Sequence, residues 1–101
     1  MYYIYIIYSE SSRLYYVGYS DDPHRRLNEH NTKPFDTFTA KHRPWQIKSV
    51  FECSEKKAEA IRIERFIKRQ KSRNLLEVMC NFSFVPTGVL AQLVRVPDVR
   101  D

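Results

Sequence analysis

Residues 2–30 read YYIYIIYSESSRLYYVGYSDDPHRRLNEH. The run 2–8 is β-branched or aromatic throughout, which predicts a strand buried on at least one face. Residues 9–13 are polar and turn the chain. Residues 14–18 (LYYVG) predict a second strand, and so short a connection favours an antiparallel hairpin. In the following SDDP, Asp22 is placed to cap a helix whose first position is Pro23, because proline lacks only an amide proton that would be unsatisfied there. The helix predicted from 23 to about 30 sets Arg26 and His30 four residues apart on one face and turns Leu27 toward the core.

Outward from this stretch the pattern continues. Residues 31–44 contain two prolines and several small polar residues, which predicts a loop. WQIKSVF at 45–51 reads as a third strand, with Trp45 packing where it begins. A long amphipathic helix is predicted from Ser54, since Ala60, Ile61, Ile63, Phe66 and Ile67 recur at helical spacing. The tail from Asn81 has two prolines and a glycine around one apolar run, VLAQLV. It is either a short packed element or a poorly ordered extension, so the expected division is a domain over 1–80 and an extension over 81–101.

The 101 residues allow one domain. A 43% hydrophobic and 14% aromatic content excludes disorder over most of the length. No apolar stretch approaches the roughly 20 residues that span a bilayer, and the start lacks the pattern of a secretory signal. A cytoplasmic protein without membrane attachment is expected. Cys53 and Cys80 are too few for a disulfide scaffold and lack CxxC spacing, so free thiols in a reducing compartment are the expectation. The net charge is +5, but its distribution matters more. Between 41 and 73, eleven Lys and Arg face four Glu, a local net of +7. Lys68, Arg69, Lys71 and Arg73 crowd a helix end, where cations suit either a solvated terminus or a phosphate backbone. These four follow one another with little aromatic interleaving. All seven tyrosines lie in the first 19 residues, where sheet packing is the plain explanation.

Glu64 stands out on the long helix. At 100° per residue it falls about 40° from Ala60, with Ile67 about 20° to the other side, so it interrupts the apolar face. A carboxylate so placed is either half of a structural ion pair, with Arg26 its natural partner, or a ligand in a cleft.

Tyr3-Ile4-Tyr5, the eleven residues from Tyr5 to Tyr16, Tyr16-Val17-Gly18, Arg26 with His30, and AxxxE at Ala60–Glu64 together resemble the GIY-YIG nuclease domain. The likeness runs from about residue 2 to 73. RPW at 43–45 and EAIRIERFIKRQKSR at 59–73 are similar to its small stand-alone members. The resemblance implies an α+β fold, a small three-stranded antiparallel sheet flanked by helices, and a divalent-metal-dependent endonuclease that hydrolyses phosphodiesters in DNA, branched or damaged DNA included. The alternative is a nucleic-acid-binding module that keeps the fold without catalysis. Carried over, Glu64 resembles the carboxylate that holds Mg²⁺ or Mn²⁺. Tyr16, or Tyr5 beside it, resembles the base that activates water. Arg26 resembles the clamp on the scissile phosphate, and His30 a residue that binds phosphate or orients the nucleophile. Gly18 is expected to let a ligand or chain approach the strand end. Lys68, Arg69, Lys71 and Arg73 are the expected nucleic-acid contacts, on DNA before RNA. Tyr3 stands at the first glycine of the motif, and Asn74 is a loose counterpart of a family asparagine. Oligomeric state and the structure that is cut are left open.

Overall fold

In the computed structural model, which describes residues 1–34 and 37–97, the expected hairpin is formed by β1 (Tyr2–Ser9) and β2 (Leu14–Ser20). Tyr5 stands opposite Gly18, and Ile7 opposite Tyr16. β3 (Trp45–Ser54) runs antiparallel along the other side of β1. The sheet has four strands rather than three. β4 (Val94–Arg95), from the tail, adds to the free edge of β3, giving the order β2-β1-β3-β4.

Both faces of this sheet are covered, which is why 2–8 is apolar at nearly every position. Ile4 and Ile6 project to one side, where they pack with Val17, Phe51, Ala60, Ile63, Ile67 and Met79. Tyr5 and Ile7 project to the other, with Trp45, Ile47 and Val50. Ile47 and Val50 differ in parity yet share a face. A register shift makes this possible: Ile6 pairs with Ser49 and Ile7 with Ile47, so Lys48 is the extra residue of a bulge that resets the alternation.

α1 (Pro23–Thr32) begins as predicted, with Pro23 in its first turn and the Asp22 carboxylate accepting from the Arg25 N–H at 3.1 Å. It runs two residues beyond the expected end. The expected loop holds a short helix, α2 (Thr37–Lys41), and its residues 35–36 lie outside the described residues. Asn31 ties these parts together, because its side chain accepts from the Trp45 N–H (2.7 Å) and donates to the Trp45 carbonyl (3.1 Å).

The long helix, α3 (Lys57–Arg69), starts later than predicted, since Ser54 still belongs to β3 and its hydroxyl accepts from the Lys56 N–H at 3.0 Å. After a junction in which Lys71 adopts a left-handed φ of 48°, Ser72 caps α4 (Arg73–Met79). Of the two readings of the tail, packing is what the described part does. Leu90 and Leu93 are buried in the core under α3. Arg95 donates to Ser49 Oγ (2.8 Å) and to the carbonyls of Met79 and Asn81 (each 2.7 Å), which satisfies the C-terminal end of α4. Residues 98–101 of the expected extension lie outside the described residues. Among the described residues no helix is long and apolar enough to cross a membrane.

Candidate active site

β1, β2, α1 and α3 converge on a polar cleft of about 390 Å³, lined among others by Tyr5, Tyr16, Gly18, Arg26 and Glu64. Five elements of the sequence pattern, spread over some sixty residues, thus meet in one place. The local reasons are simple. The hairpin register sets Tyr5 beside Gly18, the Asp22–Pro23 start aims the first turns of α1 at the strand ends, and the apolar stripe of α3 packs against the sheet so that Glu64 falls at the cleft edge.

Tyr5 is buried, 1% exposed, and its hydroxyl shares a 2.8 Å hydrogen bond with His30 Nε2. Burial pushes its phenol well above the usual tyrosine value, with the nearby Tyr16 adding to the effect and the Arg26 guanidinium opposing it through a hydrogen bond and its charge. Tyr5 therefore stays protonated. Gly18 explains how the ring fits: a Cβ there would lie 2.5 Å from Tyr5 Cζ and nearer still to the hydroxyl. Of the two approaches expected at Gly18, by a ligand or by chain, the structure shows the second: the cross-strand Tyr5 phenol fills the space.

His30 is fully buried and is not among the residues lining the cleft. The Tyr16 ring meets it edge-on at 5.2 Å, and Tyr16 also lies 5.8 Å from Phe38 and 6.1 Å from Trp45. Arg26, partly exposed, donates to Glu29 Oε1 at 3.1 Å. Glu64 is 14% exposed and pairs with Lys68, one turn along α3, at 3.5 Å. Among the described residues no ion pair joins Arg26 and Glu64, so the structural partner expected for Glu64 is replaced by a solvent-edge lysine. Such an i,i+4 pair is worth only about 0.3–0.5 kcal/mol.

The cleft also includes residues that the pattern did not single out, namely Tyr19, Ser20, Asp21, Arg25 and Lys57. Arg25 holds Asp21 at 2.8 Å, and that contact lowers the Asp21 carboxyl below its usual range. Adjacency to Arg26 was the available signal for Arg25. Lys57 had none, because its position depends on where α3 begins. Asn74 is exposed on α4 and is not among the residues lining the cleft.

The nucleic-acid contacts expected around 68–73 are placed beside the cleft, and here the sequence misled. Lys68 Nζ stands 4.9 Å from the centre of the Tyr16 ring, and the Arg73 guanidinium 5.3 Å from that of Tyr15. Arg73 also donates to the Arg13 carbonyl and pairs with Glu77. Aromatic interleaving is thus present in space, supplied by β2. Arg69 and Lys71 are exposed.

Among the described residues no three His, Cys, Asp or Glu groups cluster to cage a metal. One partly exposed carboxylate opening on a polar cleft nonetheless fits Mg²⁺ or Mn²⁺, hard ions that keep water and share substrate phosphate oxygens.

Comparison with protein families matches residues 1–77 to the GIY-YIG catalytic domain, and the chain belongs to that family. No curated protein matches the chain.

Proposed function

We propose that this protein is a divalent-metal-dependent endonuclease that hydrolyses phosphodiester bonds in DNA, including branched or damaged DNA, in the cytoplasm. The observation that carries this reading is the meeting of Tyr16, Arg26 and Glu64 in one polar cleft with a cationic flank. Family membership supports the nuclease class. The catalytic unit is proposed to span 1–80, with 81–101 as an extension that braces the sheet through Arg95.

Each residue has a role that its surroundings suit. Glu64 is the group that would hold Mg²⁺ or Mn²⁺, which when bound supplies Lewis-acid stabilisation of charge on the phosphate. Arg26, partly exposed at the cleft, offers a fixed fork of donors to the phosphate oxygens. Tyr16, once its own proton has been released to solvent, takes a proton from the attacking water at its phenolate oxygen and returns to the neutral phenol. Tyr5, protonated and buried, is better suited to hold His30 and Arg26 in place, and His30 in turn fixes the edge of the Tyr16 ring. The exposed Lys71 and Arg69, with Lys68 and Arg73, neutralise flanking phosphates.

The test is cleavage of branched, nicked and single-stranded DNA and RNA with Mg²⁺ or Mn²⁺ by the parent protein and by Glu64→Gln. The variant should lose at least about a hundredfold in rate, keep nucleic-acid binding, and melt within a degree or two of the parent because its Lys68 pair is weak. Cleavage by Glu64→Gln near the parent rate would overturn the assignment. Binding without cleavage by the parent on every substrate would favour the non-catalytic module.

A further inference from the structure

A second cavity lies along the outer edge of β2, against the C-terminal half of α3 and the start of α4. It holds about 330 Å³, the size of a small-ligand site. Its lining divides by chemistry. Leu14, Val17, Ile67 and Leu76 line it with apolar side chains, Tyr15 adds an aromatic ring, and Lys68, Lys71 and Arg73 add cations. Tyr16 and Lys68 connect it to the cleft: Tyr16 lines both, and Lys68 reaches from this cavity to Glu64 at 3.5 Å. Glu64 and Lys68 are four residues apart, about 6 Å along the helix.

Apolar and aromatic walls with cations are complementary to one ligand class in particular, a nucleobase attached to phosphates. A base within a duplex is covered on both faces and cannot enter a cavity without leaving its stack. An unpaired base has no such obstacle. Lys71 is held here in a left-handed conformation that non-glycine residues seldom adopt, at the junction between two helices where glycine is the usual choice. Cations also face the neighbouring tyrosines, Arg73 over Tyr15 and, beyond the Tyr8–Tyr15 ring pair at 4.7 Å, Lys48 over Tyr8 at 5.7 Å. The alternation of rings and cations suits a single strand whose bases stack and whose phosphates are neutralised.

We propose that this groove receives an unpaired nucleotide flanking the scissile phosphate, its base against Tyr15, Ile67 and Leu76 and its phosphates on Lys68, Lys71 and Arg73. The inference rests on the nuclease reading for the position of the scissile phosphate, and it makes the preferred substrate one with a single-stranded segment next to the cut.

Fluorescence anisotropy without divalent metal tests it, using three labelled probes of equal length: oligo-dT, an abasic oligonucleotide and a duplex. The parent should bind oligo-dT about tenfold more tightly than the abasic strand, the size expected for one stacked base. Tyr15→Ala should erase that difference and change duplex binding less than twofold, while Tyr15→Phe should keep it. Equal binding of oligo-dT and the abasic strand by the parent would overturn the proposal without needing any variant. So would a Tyr15→Ala protein that weakens all three probes alike. Failure of the nuclease reading is separately visible, since Glu64 governs cleavage and the base preference is read with no metal present. A parent protein that discriminates oligo-dT from the abasic strand but cuts nothing supports the groove and removes the nuclease.

Discussion

Gly18→Ala tests the packing at the centre of the site. Normally a glycine in a strand gains about 0.4–1 kcal/mol when replaced by alanine at a compatible position, because the unfolded chain loses freedom. Here the sign should reverse. The new Cβ would stand 2.5 Å from Tyr5 Cζ, whereas non-bonded carbons settle at about 3.5–4.0 Å. The ring must retreat by about 1 Å, yet Tyr5 is 1% exposed and packed on every side. Overpacking of this kind costs about 1–3 kcal/mol. Moving the ring also breaks its 2.8 Å bond to buried His30, another 1–3 kcal/mol or so. After the entropic gain, the net loss is about 1–5.5 kcal/mol. Urea unfolding followed by circular dichroism measures it, and a double-mutant cycle identifies the cause. Tyr5→Phe keeps Cζ and should not relieve the clash, whereas in a Tyr5→Leu background Gly18→Ala should cost almost nothing. A Gly18→Ala protein within about 0.5 kcal/mol of the parent, or the same cost in both backgrounds, would refute the reasoning.

Other outcomes follow from particular contacts. Because the Tyr5 phenol is pushed up in the folded protein, its contribution to stability is complete below the unfolded value near 10 and is lost as pH rises above it, at up to about 1.4 kcal/mol per pH unit. Tyr5→Phe should therefore show a shallower alkaline decline in urea midpoints, and an identical decline would contradict the burial of that phenol. Asn31→Ala leaves the Trp45 N–H and carbonyl without their side-chain partner and should cost about 1–3 kcal/mol; a neutral result in the same unfolding assay would show that these groups find water instead. Cys53 is buried and its thiol is pushed up, mainly by that burial, so native-state alkylation at neutral pH, read site by site by mass spectrometry, should leave Cys53 unlabelled until denaturant is added.

The amino-acid sequence determined what neighbours along the chain can determine. Alternation, helical spacing and the Asp22–Pro23 start depend on residues within one turn or one strand, so the hairpin, α1, β3 and α3 were all legible, and of the residues expected at the site Tyr5, Tyr16, Arg26 and Glu64 line one cleft. What pairing decides was not legible. The Lys48 bulge resets which side of β3 faces α1, and no local pattern records it. β4 forms because Arg95, about fifty residues from β3, finds Ser49 and the end of α4. Gly18 marks a close approach by a ligand or by chain, but that the occupant is Tyr5 is set by cross-strand register. The basic run 68–73 looked free of aromatics because its tyrosines sit some fifty residues earlier. Only the docking of α3 and α4 against β2 brings Lys68 over Tyr16 and Arg73 over Tyr15. Side-chain approach across strands and helices is fixed by packing geometry, which a linear pattern constrains at every element and specifies only when the elements meet.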